Sequence, residues 1–374
     1  MAASDITNDD PQFPINSSLL ASSLPIHERS VSVDPQDNCP FFNGRIPPEI
    51  RDEIFSYALT ESVKSNISST YPENIARPGY TGKRTIAIPL LQTCRRIYLE
   101  TYHLPVINRE HVFWHAPERG PYGYRFPDLY SLEHENWYFS LMTAWQLQLV
   151  KEVHLFTQMF WLEGQFPLLC GKEYMNNVEK LKITLRRGDW WWNESNAPLY
   201  VHPKRRILSA REMLATMSLE KTKSPAHNGT MEEFRDSAWG SAFKQLESLK
   251  ELEIEFETSD DKKAELEAIV EWAKTWKFPM KDGLVLSADG LDVKRMVWQA
   301  SMSEWSHQCP YCGNPNRAPC ATIVIPEQTT GETAGETTEE IRRQRPECIE
   351  RTRRRARGEG PTLHVISVRW KLAQ

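Results

Sequence analysis

The segment HQCPYCGNPNRAPC, His307 to Cys320, carries the residue types best suited to chemistry in this chain. Cys309 and Cys312 stand two residues apart, a spacing that lets two sulfurs reach one ion, and Gly313 permits the tight turn whose amides point at sulfur. A knuckle of this kind supplies two ligands where tetrahedral zinc takes four. Cys320 with either His307 or Cys348 can complete the set, although Cys348 lies beyond a low-complexity run and His307 is close to Cys309. His307, Cys309, Cys312 and Cys320 are therefore candidate ligands of a structural zinc. The same residues also fit thiols that hold nothing, or a redox dithiol; the last lacks the following helix N-terminus that would lower a thiol pKa.

No other chemistry is announced. The sequence has no Gly-x-Ser-x-Gly, no Walker A loop, no G-x-G-x-x-G and no His-Glu-x-x-His, so a non-enzymatic protein is expected. DWWWNES places Trp190, Trp191 and Trp192 side by side. Three adjacent indoles cannot all enter one core from one short segment. They read as a loop pinned by one tryptophan or as an aromatic contact platform for a partner. The basic run RTRRRARG, Arg351 to Gly358, reads as a solvated loop, a nuclear import signal or a weak nucleic-acid contact.

The scaffold for these groups follows from composition. The 374 residues, 40% of them hydrophobic, can bury a sizeable core or two domains. A net charge of -5 spread over both signs gives no global nucleic-acid signature, and no nucleic-acid partner is expected. Seven cysteines, an odd number, favour thiols or metal ligands over a disulfide framework. The opening MAASDITNDDPQFPINSS has neither the basic nor the apolar region of a secretory signal. No run of about 18 apolar residues is present. The expected setting is cytoplasmic and/or nuclear, without a membrane partner.

Residues 1–40, rich in Ser, Asp, Asn and Pro, read as a disordered tail, and residues 327–360 as a low-complexity disordered insertion. LHVISVRWKL, Leu363 to Leu372, is a strand that returns to the core. IPPEIRDEIFSYAL is helical, with Ile46, Ile50, Ile54 and Ala58 recurring every four residues and Pro47 and Pro48 fixing the entry. A second helix in IPLLQTCRRIYLETYHLP has the stripe Leu90, Leu91, Cys94, Ile97, Tyr98 and Thr101, with Arg95, Arg96 and Glu100 on the wet face, and is expected to cover Ile50 and Ile54. A strand centred on Val112 to Trp114 follows. Three later segments, VKEVHL from Val150, VEKLKITL from Val178 and LKELEIEF from Leu249, share the frame apolar-x-x-apolar-x-apolar. Helical patterns alternate with them, so parallel pairing in a mixed α/β fold is predicted. The frame resembles the strand of a leucine-rich repeat, without the Asn or Cys that closes that motif. A curved repeat-like sheet and a less regular α/β domain both fit.

FFNGRIPPEIRDEIFSYAL followed by LLQTCRRIYLETYHLPVINREHVFW resembles the fungus-specific F-box-like family, whose signature reads Leu-Pro-x-Glu-Ile-Arg with a second helix reading Leu-Leu-x-x-Cys-Arg. The resemblance runs from about Phe41 to Trp114. It implies an F-box-like region over 41–115 and an α/β recognition domain over 116–374. By the same resemblance the first helices dock on a Skp1-type adaptor of a cullin ubiquitin ligase, while the C-terminal part holds an unknown substrate protein. Carried over residue by residue, the adaptor contacts are Ile46, Pro47, Pro48, Ile50 and Ile54. Ile46 replaces the signature Leu, and an insertion containing SSTYPENIARPGYTGK separates the two helices, where it stands to block or reshape the docking face. The alternative is a scaffold or nuclear regulatory protein that has lost adaptor binding and keeps the helix pair as core.

Overall fold

In a computed structural model the described residues are 36–63, 70–73, 75–115, 132–222, 234–235, 238–305, 309–311 and 345–373. The chain is a mixed α/β protein, and its described residues form an eight-stranded sheet and a separate two-stranded pair. The pair joins β1 (Ser62–Val63) to β2 (Arg84–Thr85). The sheet begins with four parallel strands in chain order: β3 (His111–Trp114), β4 (Glu152–Phe156), β5 (Lys180–Leu185) and β6 (Glu251–Ser259). Three further strands, β7 (Lys277–Pro279), β8 (Val285–Ser287) and β9 (Lys294–Gln299), lie at its far side. The last strand, β10 (Thr362–Leu372), runs antiparallel to β6 along its length and meets β9 and β8 on its other edge. Among the described residues no helix is long and apolar enough to cross a membrane.

The shared frame is what aligns the strands. Val153, Leu181 and Leu252 pair in register across β4, β5 and β6, as do Leu155, Ile183 and Ile254. All six are closed off from solvent, together with the leading residues Val150, Val178 and Leu249. Because side chains alternate across a strand, one matched register sends three apolar sets to the same face. There they meet the short helices Met159–Gly164 and Phe166–Cys170, the 3-10 turn Trp239–Gln245 and the helix Lys263–Ala273 in one hydrophobic core. The antiparallel β10 ends the run of four parallel strands, so the sheet is mixed.

The low-complexity insertion expected over 327–360 is corrected over its last part. Arg345–Ala356 is a helix, and Arg351 within it is buried. Its arginines are drawn onto an aromatic: the Arg351 and Arg354 guanidinium groups lie 5.1 and 5.6 Å from the Trp305 ring centre. Arg354 also donates to the Gly360 carbonyl at 2.7 Å. Composition alone does not reveal that a cation has an aromatic to cover it. Residues 312–344 lie outside the described residues, as does the tail expected over 1–40 up to residue 35; within 36–40 the Cys39 amide donates to the Gln36 carbonyl at 2.8 Å in a turn.

Candidate functional site

The first helix spans Pro48–Ala58, entered through Pro47, whose φ of -56° is the angle proline fixes. Its buried stripe is Arg51, Phe55 and Leu59, one position on from the stripe expected at Ile50, Ile54 and Ala58. One residue turns a helix by about 100°, so the predicted face points outward: Ile50, Ile54 and Tyr57 are 47%, 42% and 87% exposed. These three stand at i, i+4 and i+7 and form one unbroken face. Pro47 and Pro48 are also exposed, and Ile46 is half-buried. The second helix does not cover Ile50 and Ile54, because the packing is decided elsewhere.

That decision rests on an ion pair. Arg51 grips Glu100 of the helix Arg95–Thr101 through Nε and Nη2 at 3.2 and 3.3 Å and donates to the Ile46 carbonyl at 2.9 Å. Arg96 reaches the same carboxylate at 3.4 Å, and Arg51 and Arg96 both lie over the Phe42 ring, at 5.4 and 4.4 Å. Bidentate contact and partial burial make this a firm link between the helices. Arg96 and Glu100, expected on a wet face, are half-buried partners. The second helix is also not continuous: a 3-10 segment, Ile88–Gln92, ends before Cys94, whose sulfur caps Arg95–Thr101 by accepting from the Ile97 amide. Asn108 completes the unit by donating to the Ser56 carbonyl at 3.0 Å.

The insertion between these helices packs on the second, polar face of the sheet over its described part. Tyr80 sets its ring edge-on against Trp114 and Phe156. Its hydroxyl donates to Glu110 at 2.7 Å. His154 on β4 lies 2.8 Å from Glu110 through Nδ1 and 2.8 Å from Thr184 through Nε2, and the Thr184 hydroxyl donates to Glu255 at 2.8 Å. Arg77, buried, lies 3.7 Å from Glu255 and 3.3 Å from Glu257. Burial pushes the His154 imidazole down to about 4 and raises the Glu257 carboxyl. Burial acts upward on Glu255 too, but Lys182 and Arg77 outweigh it and hold that carboxyl below its ordinary value. The acidic alternation read in LKELEIEF thus faces a closed network that clamps the insertion to the sheet.

The three tryptophans have three different environments. Trp190 is buried and donates from Nε1 to the Glu257 carbonyl at 2.9 Å. Trp191 is half-buried and donates to Glu163 at 3.3 Å. Trp192 is 63% exposed, in a left-handed backbone conformation with φ 55°. They form no common platform, and Trp192 alone of the three is open to a partner.

Of the four candidate metal ligands, Cys309 is described, and His307, Cys312 and Cys320 lie outside the described residues. Cys309 is buried, and the structure brings it to Cys348, with the two sulfurs 3.6 Å apart. Cys348 was legible in the sequence as a possible ligand; its distance along the chain hid the contact. Among the described residues no group of three or more His, Cys, Asp or Glu is arranged to hold an ion.

No family model, no curated protein and no solved structure matches this chain.

Proposed function

We propose that the protein is an F-box-like substrate-recognition adaptor, a protein-protein interaction module whose first helix docks on a Skp1-type partner of a cullin ubiquitin ligase. The observation that carries this reading is the outward face of Ile50, Ile54 and Tyr57 on Pro48–Ala58. Side chains of this size gain by leaving water, at roughly 25 cal/mol per Å² of apolar surface, so an aligned exposed set favours a protein surface laid over it. The resemblance in IPPEIRDEIF supplies the class of partner. Arg51, which stands at the Arg of the signature, has its guanidinium held by Glu100 and the Ile46 carbonyl. In this reading it orients the helix. The described part of the insertion lies over the sheet, and Ile50 and Ile54 stay exposed in its presence.

Co-purification with a Skp1-type adaptor tests the reading. The full chain should retain the adaptor, and the pair Ile50→Asp with Ile54→Asp should lose it while melting within a few degrees of the parent, since both positions are half open to solvent. Pro47→Ala should weaken retention at small cost to stability. A parent chain that never holds the adaptor, or an Asp pair that holds it equally well, overturns the reading. The rival is a scaffold that has lost adaptor binding and uses the arginine cluster directly; there Arg351 is buried and Arg354 half-buried against Trp305, while Arg353 and Arg357 stay exposed.

A further inference from the structure

The outer strands of the described sheet differ in how they are closed. At one side β3 is buried at His111, Phe113 and Trp114; at the other β7 is three residues long and buries Phe278. Strand β9, Lys294–Gln299, pairs along its whole length with β10 and, among the described residues, with no other strand. A strand held on one side leaves the backbone N–H and C=O groups of its other side as a template for a further strand. Proteins commonly guard such an edge with charge. Here both cations, Lys294 and Arg295, stand at one end, and the middle is Met296, Val297 and Trp298. Met296 and Val297 are 37% and 59% exposed, whereas the residues they pair with on β10, Val365 and His364, are buried.

The order of residues along β9 selects what fits there. Opposed residues in an antiparallel pair alternate between two hydrogen-bonding types, so a two-fold axis has to fall where a residue faces its own copy. With the axis at Met296, Arg295 stands opposite Val297 and Lys294 opposite Trp298, an ammonium beside an indole. With the axis at Val297, Met296 stands opposite Trp298 and Arg295 opposite Gln299. In both registers no cation meets a cation, and opposed residues share a face of the sheet. A parallel copy in register would set Lys294 on Lys294 and Arg295 on Arg295. The strand is complementary to itself in the antiparallel sense.

We propose that β9 is a self-association edge, on which a second copy of this chain lays its own Lys294–Gln299 antiparallel about a two-fold axis at Met296 or Val297, joining two eight-stranded sheets into one. Stable protein interfaces bury about 1,200–2,000 Å², more than a strand of 6 residues provides along one edge, so the association is weak and concentration-dependent. The dimer presents the outward face of Pro48–Ala58 twice, which strengthens its hold on a partner that is itself multivalent.

Sedimentation equilibrium of the full chain, from micromolar to near-millimolar concentration, tests this. The mass should climb from that of one chain towards that of two. Val297→Lys should keep the mass of one chain throughout and melt with the parent, because the position is 59% exposed and the new cation meets either its own copy or Arg295. Cross-linking fixes the register: opposed residues have Cα atoms about 4.5–5.5 Å apart, within disulfide reach. Under diamide, either Met296→Cys or Val297→Cys should link two chains beyond the level of the parent, and Lys294→Cys should not. A parent that stays at the mass of one chain, whether another segment of the chain takes the edge or leaves it bare, overturns the proposal. So does a Val297→Lys protein that associates like the parent, or a cross-link from neither Met296→Cys nor Val297→Cys. Where Val297→Lys does not fold, the cross-links decide. Adaptor binding is read in none of these measurements, so the two proposals fail independently.

Discussion

Strand β6 and the helix Pro48–Ala58 both carry apolar residues at the ideal spacing of their element. In β6, Leu252, Ile254 and Phe256 are closed off from solvent; in the helix, Ile50 and Ile54 remain 47% and 42% exposed. The strand's stripe is matched by stripes of the same frame on β4 and β5, which fall into register beside it and share the helices that cover them. The helix has two competing stripes, one residue apart. Arg51, Phe55 and Leu59 win because Glu100 meets the arginine and the larger ring of Phe55 takes the buried place, packed on Phe41. Periodicity identifies a face, and the complement in the rest of the chain decides whether it is used inward or outward.

The comparison breaks first at the sheet. Ile183→Ala removes a fully buried side chain from the middle stripe and should cost about 2–5 kcal/mol in urea unfolding; a loss under about 1 kcal/mol would mean the register is not what holds these strands. The polar face should show itself in acid. His154 is pushed down to about 4 from 6.5, so below 6.5 the unfolded chain takes up the proton that the folded chain refuses. Its contribution is complete above 6.5 and is lost as pH falls through 4, a few kcal/mol in order of magnitude. Glu110 acts in the same direction at lower pH: burial would raise it, but His154, Tyr80 and Arg84 hold it far below the usual carboxylate value. His154→Asn should flatten the fall of melting temperature between pH 6.5 and 4; an equally steep fall would remove His154 from the account. The smallest effect belongs to the helix. Ile54→Ala should change unfolding free energy by no more than about 0.5 kcal/mol, and a loss of several kcal/mol would mean that a surface of this same chain covers that face in solution.

Much of the sheet was legible. The frames at Val150, Val178 and Leu249 mark β4, β5 and β6, and HVFW and LHVISVRWKL mark β3 and β10, because a strand's burial is written in its own alternation. The direction of β10 was not, since alternation is the same for either neighbour orientation. The candidate docking residues were legible as a helix and misplaced as a face. Composition marks the arginine-rich segment as unstructured, whereas Trp305, outside that segment, gives two of its arginines a surface.

By itself, then, the sequence determined the mixed α/β class, the strands that share one frame, the helix that follows the two prolines and the spacing of the cysteines, all of which depend on residues within a turn or two of one another. Tertiary structure decided which stripe of the first helix is buried, where the insertion lies, that the acidic edge of β6 is closed by Arg77 and Lys182, and that Cys348 is the thiol beside Cys309. Each of these joins residues far apart in the chain, and no local pattern encodes a partner at that distance.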